Sequence, residues 1–224
     1  MKRLFSGIIL LTVTCFSLSA FAESFIQFVV VGKVWPEHKW GHLSLRISNS
    51  IRDEVYDFGR YGAMWGPWNT QGEPILRVWT DARAHLIAQK DGNPRIDIVT
   101  VTATESEANA AFHYFDKLTG SLTPRSKNAH LAEYRLRIAD FHAINNNCVT
   151  MSMNAFYAAQ PHYQGLGPRY ARGDDLYFWA RPKANNISYI KSQGRWKHLW
   201  WPKDALNFLK AEVLAKKRGY TEVY

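Results

Sequence analysis

Cysteine is scarce in this chain: two residues among 224, Cys15 and Cys148. That count excludes a disulfide-stapled scaffold, which needs several pairs in a short exported sequence. Long apolar runs are scarce too. The stretch from Phe5 to Val13 falls short of the roughly 20 apolar residues that span a bilayer, and no later segment is long enough either. Acidic residues are outnumbered, 19 Asp and Glu against 28 Lys and Arg, for a formal charge of +9. Internal repeats and low-complexity linkers are lacking, so nothing supports a second domain.

The front of the chain carries a clear signal. Lys2 and Arg3, the apolar stretch, and Ala20-Phe21-Ala22 are the basic start, apolar core and small-x-small cleavage site of a secretory signal peptide. Residues 1–22 are therefore expected to be removed, and residues 23–224 to form one domain in the periplasm or outside the cell. Thr-Val-Thr-Cys, ending at Cys15, keeps a lipoprotein signal as a minor rival. Cleavage after Ala22 removes Lys2 and Arg3, which lowers the formal charge to +7 and leaves 202 residues, enough for a real core. Basic charge outside the cytoplasm favours anionic surfaces, cell wall or phospholipid headgroups, over nucleic acid. Cleavage also leaves Cys148 with no internal disulfide partner. A free reactive thiol and a buried small hydrophobe both fit that fact.

Periodicity outlines the elements. Phe25 to Val31 is a β-branched and aromatic run, read as a buried strand. Gly41 to Ser48 alternates, with Leu43, Leu45 and Ile47 on one face and His42, Ser44 and Arg46 on the other. The polar turn NSIRD joins it to EVYDF, residues 54–58, as a hairpin. Residues 59–74, rich in Gly, Pro and Trp, read as a long shaped loop opening an insert at about 59–94. Ile75 to Gln89 reads as strand then helix, and Arg95 to Ala103 as a strand. Thr104 and Glu107 form a capping box before a helix whose stripe is Ala108, Ala111, Phe112, Phe115 and Leu118. Glu133 to Ile138 alternates again. Val149 to Ala159 reads as a helix stopped by Pro161, and a C-terminal extension follows. It is loop-rich to residue 200, then helical from Pro202 through Lys217.

Chemistry concentrates at NNNCVT, residues 145–150. Asparagine is a strong N-cap, so Asn146 or Asn147 places Cys148 in the first turn of a helix. The helix dipole and free backbone N–H groups there favour a thiolate, the nucleophile of acyl transfer, and the same N–H groups suit a developing oxyanion. His42 opens a strand opposite its apolar face, and hairpin pairing brings residues near Asp57 or Gly59 across from it. Asp57 then has the position to orient the imidazole. Taken singly, a strand histidine and a strand aspartate are more often structural.

Together, the histidine strand, its hairpin partner VYDFG and the later Asn-Cys helix start resemble the circularly permuted branch of the NlpC-type papain-like fold. That group includes bacterial cell-wall peptidases and amidases and the lecithin:retinol acyltransferase relatives. The resemblance covers Phe25 to Phe58 and Glu133 to Ala159. It implies an α+β fold, with an antiparallel sheet and a packed nucleophile helix. It also implies Cys148 as nucleophile, His42 as base and Asp57 as the third member, where many relatives carry histidine or another polar group. Arg60, Tyr61, Trp65 and Trp68 are expected to line a substrate groove, and a packed aromatic loop explains them equally well.

The expected function is an exported cysteine hydrolase that cuts an amide bond in peptidoglycan stem peptides, with no metal or organic cofactor implied. A lipid acyl hydrolase or acyltransferase using the same centre, and a non-catalytic wall-binding protein whose cysteine only packs, are the alternatives. His38 and His42 are spaced four apart, but Pro36 and Gly41 argue against a helix that would converge them on zinc. His142, six residues before Cys148, is the alternative base.

Overall fold

In a chain with this much alternation, the faces of the sheet are set residue by residue. The computed structural model describes residues 23–33, 41–65, 71–120, 126–128, 133–138, 141–142, 146–171, 199, 201–216 and 219–224. Its strands are β1 (Phe25–Val31), β2 (His42–Ser48), β3 (Asp53–Trp65), β4 (Gln71–Trp79) and β5 (Ile96–Thr102), followed by β6 (Ser126–Asn128), β7 (Glu133–Arg137), β8 (Phe141–His142) and β9 (Gly219–Val223). They form one antiparallel sheet in the order β6-β7-β4-β3-β2-β1-β5-β9, with β8 paired to the start of β4.

Among the described residues four α-helices accompany the sheet: α1 (Ala82–Gln89), α2 (Glu105–Thr119), α3 (Cys148–Ala159) and α4 (Pro202–Phe208). The architecture is α+β. The main core lies on one face, where Phe28, Leu43, Leu45, Ile47, Tyr56, Phe58 and Val99 meet α2 and α3. Phe156 of α3 packs edge-on against Phe28 at 5.3 Å, and Tyr56 stacks on Phe115 of α2 at 3.8 Å. The other face holds a smaller cluster of Val29, Val31, Ile96 and Ile98, against which Leu86 of α1 packs.

The hairpin of β2 and β3 forms as the alternation indicates, with Leu45 opposite Tyr56 and Ser48 opposite Asp53. The Thr104–Glu107 capping box is present at α2, and Ala108, Ala111, Phe112 and Phe115 are its buried stripe. Strand then helix holds for residues 75–89.

The long loop expected over residues 59–74 is corrected. β3 runs on to Trp65 and β4 begins at Gln71. A register shift between Arg60 and Met64 interrupts the alternation, and Pro74 sits opposite Arg60 where pairing turns irregular. A bulge hides the period-2 pattern and tolerates proline, so composition alone reads as loop. The stretch anticipated as an insert thus supplies β4, between β3 and β7, and α1. The last helix is also less regular than expected: after Phe208 it widens into a π turn, Leu209–Val213, and ends in a 3-10 turn at Lys216. β9, which follows, carries no signal that the sequence reading used.

Candidate active site

His42 is the first residue of β2, opposite Val31, and therefore lies on the face away from α2 and α3. Gly41 turns the chain into that strand at φ +77, and a Cβ there would stand 2.8 Å from the Val31 carbonyl oxygen. Only glycine suits the position. Asp57 projects from β3 to the same face, one residue past the Leu45–Tyr56 pair. His42 Nε2 meets Asp57 Oδ1 at 2.6 Å. The structure thus brings these two sequence-predicted residues together.

The Asp57 carboxylate has no exposed surface and is surrounded by donors. Tyr61 donates its hydroxyl to Oδ1 at 2.7 Å, and Arg77 Nη2 donates to Oδ2 at 2.5 Å. Gln89 Nε2 lies 3.3 Å from Oδ2 and 3.3 Å from His85 Nε2. His85 itself stands 3.6 Å from Oδ2, beyond hydrogen-bond length. Burial alone would push the carboxyl up, but the charges of Arg77 and His42 and the His42 hydrogen bond hold it well below the usual carboxylate range. Burial also pushes Tyr61 well up, so its hydroxyl stays protonated and donating. His85, pushed down by burial, stays neutral and accepts from Gln89.

Cys148 is the first residue of α3 and is partly exposed. The charge of Cys148 acts on His42, which sets the sulfur near the imidazole where the start of β2 approaches the start of α3. Since Nε2 faces Asp57, Nδ1 is the nitrogen left for sulfur. Burial would lower the imidazole, but the Asp57 charge, the Cys148 charge and hydrogen bonds to both outweigh it and raise His42 from 6.5 to about 10. The imidazolium is the form of His42 that this environment favours.

The cap refines the sequence reading. Asn147 rather than Asn146 is the N-cap, and its Oδ1 accepts from the N–H groups of Val149 and Thr150 at 2.9 and 3.0 Å. Those two donors, expected to be free for an oxyanion, are already used. The Cys148 N–H is left outside the cap.

Of the expected groove residues, Tyr61 sits against the Asp57 carboxylate, with Arg77 stacked 3.9 Å over its ring. Arg60 is half-buried, its guanidinium pushed down by burial, and among the described residues no carboxylate pairs with it. Trp65 ends β3, but its side chain, like that of His142 in β8, lies outside what is described. Trp68 and His38 lie wholly outside the described residues. Among those residues no three His, Cys, Asp or Glu side chains form a group able to hold a metal ion.

Sequence reasoning missed Arg77 and Gln89. The signal for Arg77 was present: Ile75, Arg77 and Trp79 alternate, and Arg77 pairs directly with Asp57 across β3 and β4. Reading 59–74 as loop concealed that pairing. Compared with protein-family models, curated proteins and solved structures, the chain matches none.

Proposed function

We propose that the chain is an exported cysteine hydrolase, in a permuted papain-like arrangement, that cuts an amide bond in peptidoglycan stem peptides. The observation that carries the reading is the line from Cys148 through His42 to Asp57, ending on a carboxylate with no exposed surface. The chain order of histidine strand, aspartate strand and cysteine helix supports the permuted arrangement. A basic formal charge of +9 and the half-buried Arg60, which no carboxylate pairs with among the described residues, support a substrate bearing carboxylates.

The chemistry follows from the geometry. The Cys148 thiolate attacks the amide carbonyl carbon, forming a C–S bond and an oxyanion for which the Cys148 N–H, outside the Asn147 cap, is the nearest backbone donor in sequence. Collapse breaks the C–N bond as His42, already imidazolium, gives its Nδ1 proton to the departing amine. Neutral His42 then takes a proton from water, whose oxygen attacks the thioester. The C–S bond breaks, the acid product leaves and the thiolate returns. Asp57 keeps the ring oriented throughout, its own charge fixed by Arg77.

The test incubates the mature protein with purified sacculi and, separately, with phospholipid vesicles, and identifies products by mass spectrometry. New amine and carboxyl termini in the muropeptides are expected, lost in Cys148→Ala and His42→Ala. Cleavage that survives both substitutions overturns the mechanism. Fatty-acid release from vesicles with intact sacculi overturns the substrate assignment and moves the same centre to lipid esters.

A further inference from the structure

We infer that Arg77 is the positioning residue of this centre, holding Asp57 and Tyr61 in one place so that Asp57 stays an anion against His42. The inference rests on reading Cys148 and His42 as a reactive pair, and adds a residue that the reading does not require.

Its geometry is unusual for a structural arginine. One guanidinium nitrogen, Nη2, lies 2.5 Å from Asp57 Oδ2 and 2.6 Å from the Tyr61 hydroxyl, while Tyr61 also donates to the other oxygen, Oδ1. Carboxylate, phenol and guanidinium thus close a ring of three contacts. The guanidinium plane is stacked 3.9 Å over Tyr61 and 5.7 Å from the Trp79 centroid, so it has little freedom to rotate. Lysine has a point charge and no plane, and could not make this set. The side chain keeps 15% of its surface exposed, and Asp57 none.

Charge explains why the position matters. From Arg77 through Asp57 to His42 the signs alternate: cation, anion, cation. The Asp57 anion is what steadies the imidazolium, and an imidazolium beside a cysteine favours its nucleophilic form. A buried carboxylate without Arg77 has only the imidazolium as counter-charge and takes up a proton more readily. The other groups facing it do not substitute. His85 of α1 is neutral, Gln89 is uncharged, and Tyr61 keeps its proton. On β7, Arg135 holds the register position opposite Arg77.

The experiment needs no substrate. The rate of Cys148 alkylation by iodoacetamide is measured against pH in the mature wild type, Arg77→Met, Arg77→Gln and Arg77→Lys, with folding checked by circular dichroism. In Arg77→Met the acid limb is expected to move up by about one pH unit or more, roughly a tenfold slower reaction on that limb. Arg77→Gln, which keeps a hydrogen bond without charge, should shift alike, while Arg77→Lys, which keeps the charge without the planar fork, should fall between Arg77→Met and the wild type. A folded Arg77→Met or Arg77→Gln with the wild-type acid limb overturns the inference. If neither folds, titration of 13C-labelled Asp57 in the wild type decides: a carboxyl titrating in the ordinary range overturns it, and one titrating well below supports it. A wild-type sulfur that reacts as an ordinary thiol, unchanged by His42→Ala, overturns the reactive pair itself. That result is visible before any Arg77 variant is compared.

Discussion

A carboxylate with no exposed surface is stable only while its oxygens remain paired, and at Asp57 both pairings involve cations. Removing the anion therefore does more harm than removing an ordinary surface partner. Asp57→Ala should destabilise the fold by about 3–5 kcal/mol in urea unfolding, because Arg77 loses the carboxylate that balances its largely buried charge. Replacing both, as Asp57→Leu with Arg77→Met, should recover most of that loss, and a double-mutant deficit equal to the sum of the singles would refute the pairing. His42 adds a pH dependence. Its folded value, about 10, lies above the ordinary 6.5. Its contribution is therefore complete below about pH 6.5 and is lost as pH rises toward 10. Unfolding midpoints of wild type and His42→Ala should differ most near pH 6 and converge above pH 10. A gap that widens with alkalinity would mean the imidazole is held neutral.

At the scale of elements, α3 shows why the cap is asparagine. Asn147 satisfies the N–H groups of Val149 and Thr150, and Thr150 Oγ1 accepts the Asn147 N–H in return at 2.9 Å. Aspartate caps equally well but would put an anion beside Cys148, disfavouring its thiolate form. Asn147→Ala should cost about 1 kcal/mol of stability. Asn147→Asp should keep that stability yet slow Cys148 alkylation at neutral pH, and equal rates would show that the cap has no electrostatic role. The helix start, its capping residue type and the alternation of β2 were all legible, because each is a local pattern. The place of Asp57 beside His42 followed from a hairpin with a short turn. Arg77 lay in a strand that was legible, but its pairing with Asp57 was not, since the bulge between Arg60 and Met64 breaks the period that would have joined β3 to β4. Nor was the split between occupied and open N–H groups in α3, which depends on side-chain rotamers rather than residue type.

Taken as a whole, the molecule gathers its reactive groups where β2, β3 and β4 are flanked by α1 and the start of α3, while β9 lies beyond β1 and β5 at the sheet's far edge. That separation makes stability and reactivity independently testable. β9 pairs along β5 from Val101–Gly219 to Asp97–Val223, and Tyr224 and Ile96 exchange both backbone bonds at 2.9 and 3.0 Å. Gly219 approaches β5 so closely that a Cβ would lie 1.9 Å from the Thr100 carbonyl oxygen. Backbone cannot yield as a flexible side chain does, so Gly219→Ala must push the first pair apart. A cost of about 1–3 kcal/mol is expected, read as a fall of about 2–4 °C in Tm for each kcal/mol in a chain of this size. Chains ending at residue 218 should fall further and aggregate, because the β5 edge is then open. In both variants the folded protein should keep the wild-type pH profile of Cys148 alkylation, since no contact in the Arg77–Asp57–His42 line passes through β9. A profile that moves with Tm would show that the far edge and the reactive end of the sheet are mechanically coupled, so that no residue could be assigned to one without measuring the other.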